Sequence, residues 1–365
     1  MSPLPTSCAH PTPESASDMS KPRKFSYGFM AIMLVLVASM DLATPLLTVL
    51  FSLFALNLFN FQNRKFFASG LFLCLCTAVL LGLIYFANQV YFTTPLILDK
   101  LIPKIMEYAK QYKLNIPFED VDSFKEWFTI GLMAEVGLVG TGLEKIIRQA
   151  AMLIIGIVVA ISLFANAAII IDKEDHSPNN LYSLTAEEIG NRFVTFFQSF
   201  ARVMGAQIII SAVNAVLTAI FLMTAQVPYA GLLVIVTFLC GLLPIVGNLV
   251  SNTVIVSVAL TKSPGTAFAA LAFLVIIHKL EYFLNSQIIG HRIRNPMWMT
   301  LLALVIGERL MGIAGMILAP VILHYVKAEA TKVRVVKKRK NDKNDEESET
   351  MDVDQTLPLN VADSG

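Results

Sequence analysis

The chain has 365 residues, 55% of them hydrophobic and only 15% charged, with a mean hydropathy of +0.65 and a net charge of +1. A soluble domain carries about 25% charged residues. The deficit and several long apolar runs set aside a soluble fold and indicate an all-α, polytopic helical integral membrane protein; the runs lack the period-two alternation of β-barrel strands.

Residues 1–24 are rich in Pro, Ser and Thr, have no apolar period, and read as a disordered tail. Residues 25–92 read as a first hairpin and a span. Tyr27–Phe61 is one apolar block of about 35 residues interrupted by Asp41, Thr44 and Pro45. A single span needs about 20 residues, so this block fits two short helices joined at the interruption. Basic residues flank it on both sides: Lys21, Arg23 and Lys24 before, Arg64 and Lys65 after. The positive-inside rule places both flanks in the cytoplasm. Phe66–Phe92 is then a single outward span.

Residues 93–149 read as an amphipathic extracytoplasmic or interfacial insertion. A helix around 99–113 carries Asp99, Lys100, Lys104, Glu107, Lys110 and Lys113 between apolar positions, and Pro117 ends it. Ser123 with Glu126 forms a capping-box pattern.

Residues 150–327 read as the main membrane domain. Ala150–Ile171 returns to the cytoplasm. Residues 184–205 predict a helix lying at the interface, with a phenylalanine face (Phe193, Phe196, Phe197, Phe200). Gln207–Ala225 leads outward. Val227–Thr261 is a second long block, broken at Leu243–Asn248 by Pro244, Gly247 and Asn248. Thr266–Ile289 returns inward, and Met297–Tyr325 is a third block, broken at Gly307–Gly312. Residues 328–365 are a basic, then acidic, disordered cytoplasmic tail. Its Lys337, Lys338, Arg339 and Lys340 are placed to contact anionic lipid, without the aromatic platform of a nucleic-acid site. Parity then requires four single spans and three broken or re-entrant hairpins, with both termini cytoplasmic.

Order and spacing in the second half resemble the autoinducer-2 exporter-like permease family. The resemblance is carried by LLPIVGNLV (Leu242–Val250), HKLEYFLNSQIIGHRI (His278–Ile293) and NPMWMTLLALVIGERLMGIAGMILAPVI (Asn295–Ile322). Gln287 stands where the family usually has proline, which implies a less kinked helix there. The resemblance implies a transporter of the bacterial inner membrane, some members being associated with autoinducer-2 export and others similar to sodium or lithium/proton antiporters.

The candidate pathway residues are ionisable or polar groups at membrane depth, where their retention is costly. Glu281 shares a helix face with His278 and Asn285 at spacings of three and four. Its alternative reading is a structural carboxylate paired with Arg309. Glu308 and Arg309 sit at the tip of the last hairpin, and Asp41 at that of the first. Asn248 marks a break whose freed carbonyls suit a cation or a hydroxylated solute. Gly312, Gly315 and Ala319 read as small residues for close helix packing, Pro320 as helix punctuation, and His324 as interfacial. Cys74, Cys76 and Cys240 read as buried structural thiols; no metal or disulfide pattern and no cofactor motif is present.

The expected function is a secondary-active permease for a small polar solute such as an autoinducer-2-like signal, or a monovalent cation exchanged for protons. The expected partners are the bilayer, that solute or ion, and a second copy in a homo-oligomer. A non-transporting membrane scaffold and a passive channel are the alternatives.

Overall fold

The computed structural model describes residues 21–60, 64–111, 123, 142–166, 181–243, 246–289 and 296–333. Among the described residues the secondary structure is helical: α1 (Lys21–Ser39), α2 (Ala43–Phe59), α3 (Lys65–Gln111), α4 (Gly142–Ala165), α5 (Leu181–Thr224), α6 (Ala230–Gly241), α7 (Val246–Lys262), α8 (Pro264–Ile289) and α9 (Met297–Ala330). Five are long and apolar enough to cross a membrane, and the bent pair α1–α2 makes up to six if it counts as one span. Large apolar side chains such as Leu80, Ile84, Val158 and Val275 point outward, as helices solvated by lipid require.

The chain divides into two units, Lys21–Glu329 and a second made of Met1–Ser20 with Ala330–Gly365. Of the second, the described part is a short turn in which the Val333 N–H donates to the Ala330 carbonyl at 3.2 Å. The basic residues Lys337, Lys338, Arg339 and Lys340 lie outside the described residues, as do Pro117, Glu126, Pro244 and His291.

Within Lys21–Glu329 the three interruptions expected from Gly, Pro and Asn are present. α1 and α2 are bent by 117° at the break that holds Asp41. Asp41 adopts φ +55°, a left-handed conformation that Asp tolerates better than most residues. α6 and α7 pack against each other. Gly247 is pressed so closely on the Cys240 backbone that a Cβ there would stand 2.5 Å from the Cys240 carbonyl carbon. In α9 the reversal is at Gly312, with φ +58° and ψ −143°. Its arms fold together: a Cβ on Gly307 would stand 2.5 Å from the Gly315 carbonyl oxygen and 3.2 Å from the Ala319 Cβ. Residues eight apart in a straight helix are separated by about 12 Å, so this contact requires the chain to double back. Gly315 and Ala319 lie where the two arms meet, whereas Gly312 has nothing within 4 Å of its Cβ position and serves as the hinge.

Four expectations need correction. No break separates the span at 66–92 from the amphipathic segment: α3 is a single 47-residue helix that carries Pro95 and Pro103 inside it. Likewise residues 184–205 and 207–225 form one 44-residue helix, α5. Such helices extend about 65–70 Å, twice the ~30 Å hydrocarbon core. Pro320 does not end a helix, since α9 continues to Ala330. Cys74 is exposed on the outer face of α3, while Cys76 and Cys240 are half-buried.

Three apolar clusters hold the unit together. Phe196, Phe200 and Met204 of α5 pack with Met30, Leu47, Leu50, Leu318 and Tyr325, so most of the α5 phenylalanine face is turned into protein. Phe51 meets Phe200 edge-on at 4.9 Å, and Phe196 meets Tyr325 at 5.5 Å. A second cluster joins α5, α6, α7 and α8 through Leu222, Leu233, Ile255, Val258 and Leu274, with Ile97 of α3 against it. The amphipathic end of α3 therefore leans on the α6–α7 hairpin, and Lys104 donates from Nζ to the carbonyls of Thr261 and, at 3.2 Å, Lys262. A cation at the C-terminus of α7 satisfies carbonyls that have no helical partner. The third cluster joins α2, α3 and α4 through Leu56, Phe72 and Phe164. There Gly156 lets α4 approach α2, since a Cβ would lie 2.6 Å from the Thr48 Cβ.

Candidate functional site

The break between α6 and α7 leaves α7 starting at Val246, which puts Asn248 in its first turn. From there the Asn248 Nδ2 donates to the Glu281 Oε2 at 2.6 Å. Glu281 belongs to α8, and its residue is only 9% exposed. Asn214 of α5 lines the same pocket. The His278 Nδ1 stands 3.9 Å from the same Oε2, with a side chain 59% exposed. Glu281 is thus held by the Asn248 amide from α7 and stands beside its i−3 histidine, and Arg309 is not among these partners.

These groups share one pocket with Thr218, Thr237, Ser251, Asn252, Leu274 and Ile277. The empty space between them, open mouth included, is about 280 Å³. The pocket sits where α5, α6, α7 and α8 meet, against the tip of the α6–α7 hairpin.

Asn214 Oδ1 and Thr218 Oγ1 are buried without a hydrogen-bond partner, and so is Ser211 Oγ one turn away. An orphaned buried polar atom costs about 1–3 kcal/mol, so three on one helix face call for an explanation. With Gln207 they form a polar stripe along the apolar second half of α5, at i, i+4, i+7 and i+11. Gln207 donates from Nε2 to the Gly241 carbonyl at 2.5 Å, capping the end of α6. Reading the sequence missed this stripe. The recoverable signal was four polar residues at helical spacing in one span.

The other expected site residues are dispersed. Asp41 lies exposed at the α1–α2 turn; Glu308 and Arg309 are exposed on the arm of α9 before Gly312. None of the three lines the pocket. The backbone at Asn285 is in the last turns of α8, and its side chain lies outside the described residues; α8 runs through Gln287 to Ile289. Gly247 and Gly315 serve close backbone approach, as described above.

A second buried polar cluster was not foreseen. Arg192 of α5 and Glu329 of α9 are each 4% exposed, with Nη1 and Oε2 2.5 Å apart. Arg192 also pairs with Glu188 at 2.7 Å. Tyr27 donates from its hydroxyl to the Glu329 Oε2 at 3.1 Å, and its ring lies 4.3 Å from the Arg192 guanidinium carbon. The arginine's second neighbour on α1 is Ser26, whose Oγ accepts from Nε at 3.4 Å. This knot joins α1, α5 and α9. Next to it, His324 is only 5% exposed and both its ring nitrogens lack partners, so it is a core residue and not an interfacial one.

Two comparisons bear on what such a helical assembly is. Over 135 residues the chain is 33% identical to the "Putative transport protein YdbI" of Bacillus subtilis (strain 168). That match spans 36% of this chain and 38% of the relative, so the chain aligns with well under half of that protein's length. The profile of the AI-2E family transporter matches residues 27–334, which takes in every helix from α2 to α9 and most of α1. The match runs through all three broken segments and the Glu281 pocket, and with it the chain belongs to the AI-2E transporter family, as a multi-pass helical membrane protein.

Proposed function

We propose that this chain is a secondary-active permease of the bacterial inner membrane that exports a small polar solute, with Glu281 as the group that couples transport to an ion gradient. The observation that carries the reading is the placement of a buried carboxylate against the first turn of a broken helix, with Asn248 donating to it at 2.6 Å. Discontinuous helices at a substrate or ion site recur in secondary transporters, because a helix end supplies unpaired backbone groups and a dipole. The bends at Asp41 and Gly312, and the packing of α6 against α7, support alternating access by motion of one bundle against another. Both termini lie in the cytoplasm in this reading, where the basic run at 337–340 binds anionic lipid.

A sodium or lithium/proton antiporter is the second reading. It is favoured by the single carboxylate of Glu281 among the neutral amides and hydroxyls of the pocket, a set of oxygens that suits a hard monovalent cation.

The test is transport by the purified protein in liposomes with an imposed pH gradient, following an autoinducer-2-like solute in one arm and sodium or lithium in the other. Gradient-driven solute flux supports export. Cation flux alone supports the second reading. Absence of both overturns the permease.

A further inference from the structure

We propose that Gln207 is the positioning residue of the Glu281 pocket: it gives the Gly241 carbonyl a donor from α5, holds α6 ended there, and so keeps α7 starting where Asn248 meets the carboxylate. The inference rests on the permease reading for its effect on transport.

A helix that ends inside a protein leaves its last carbonyls without helical partners, and each needs another donor. At the end of α6 these donors are identifiable. Pro244 has no N–H to give the Cys240 carbonyl four residues back. The Cys240 carbonyl accepts from the Leu243 N–H at 2.9 Å, and the Leu239 carbonyl from the Leu242 N–H at 3.2 Å. Such bonds across three residues tighten a final turn. The Leu243 carbonyl accepts from the Gly247 N–H at 3.2 Å, in the first turn of α7. In a continuous helix the Gly241 carbonyl would take the N–H of residue 245. Here it accepts from Gln207 Nε2, at 2.5 Å and from another helix.

The grip is steric as well. A Cβ on Gly241 would stand 2.8 Å from the Ser211 Oγ and 3.1 Å from the Ser211 Cβ. Gln207 and Ser211 are four residues apart on one face of α5, so that face both caps the last residue of α6 and lies against it. Thr237, one turn before Gly241, and Asn248, at the start of α7, both line the pocket. Gln207 is not among the lining residues, so its influence on the pocket passes through the break.

The experiment compares Gln207→Met, Asn248→Ala and the double variant with wild type. Met keeps the length of the side chain and has no donor. Gln207→Asn, whose amide falls one carbon short of the carbonyl, takes its place if Gln207→Met does not fold. In liposomes, gradient-driven flux is measured across a pH series. Glu281 and His278 are the titratable residues lining the pocket, and every variant retains both. Asn248→Ala is expected to move the pH midpoint of flux by about one unit, roughly the weight of one hydrogen bond to a charged group. Gln207→Met is expected to move it in the same direction, and the double variant no further than Asn248→Ala. A lowered maximal flux with the wild-type midpoint in Gln207→Met would mean a merely structural cap and overturns the positioning role. In detergent, the double variant is expected to lose less Tm than the sum of the single losses, because a displaced Asn248 has no contact left to lose. Additive losses overturn the proposal. Absence of wild-type flux overturns the permease, and the Tm cycle then decides the positioning on its own.

Discussion

Asn248 and Glu281, 33 residues apart in sequence, meet at 2.6 Å through a single hydrogen bond from Nδ2 to Oε2. The contact exists because α7 begins at Val246 and not earlier. A continuous helix through residues 242–245 would carry Asn248 in mid-helix, away from the free end beside the carboxylate. The break and the acidic residue are therefore parts of one device.

Asn248→Ala removes a charge-assisted donor from a buried carboxylate. Such hydrogen bonds contribute about 1.5–3 kcal/mol. The variant is expected to lower the Tm in detergent and to weaken gradient-driven flux. A variant with unchanged Tm and unchanged flux would show that the contact does not matter to fold or transport.

Gly312→Ala tests the hinge of α9. The position has φ +58° and ψ −143°, with open space around the added methyl. The cost is therefore conformational, of order 1–3 kcal/mol. Gly315→Ala tests the same reversal by crowding, because its Cβ would collide with the Gly307 carbonyl. Both variants should be destabilised in thermal unfolding. If Gly315→Ala is neutral, the two arms of α9 do not pack as described.

Arg192→Met leaves Glu329 buried beside Tyr27 with its main counter-charge gone, and is expected to cost about 3–5 kcal/mol. The double variant Arg192→Met with Glu329→Leu removes both charges and should recover most of that loss. A double-mutant cycle on Tm checks this. Purely additive losses would mean that the two residues are not coupled.

Much of this architecture was legible because helix breaks have local causes. Asp41 before Pro45, and Gly312 in the last block, are punctuation that acts within a few residues. Glu281 stood out as a candidate because an ionised group is costly in lipid. The helix continuities at residues 93 and 206 were not legible. A change from apolar to amphipathic pattern alters which face is wet, but it does not end a helix, and α5 contains no proline across Leu181–Thr224. Even Pro95 and Pro103 leave α3 helical. The stripe of Gln207, Ser211, Asn214 and Thr218 escaped because each residue alone is an ordinary polar visitor in a span. Its meaning lies in what faces it across the pocket. The pairing of Arg192 with Glu329 is likewise tertiary: 137 residues separate them.

The proposed coupling of transport to an ion gradient by Glu281 is tested most directly by comparing wild type with Glu281→Gln in liposomes under an imposed pH or sodium gradient. Gln keeps the size of the side chain and an oxygen for Asn248, but it carries no charge. The predicted result is flux at the level of protein-free liposomes, with a Tm close to wild type in sodium-free buffer. Gradient-driven flux equal to wild type in Glu281→Gln would contradict the account.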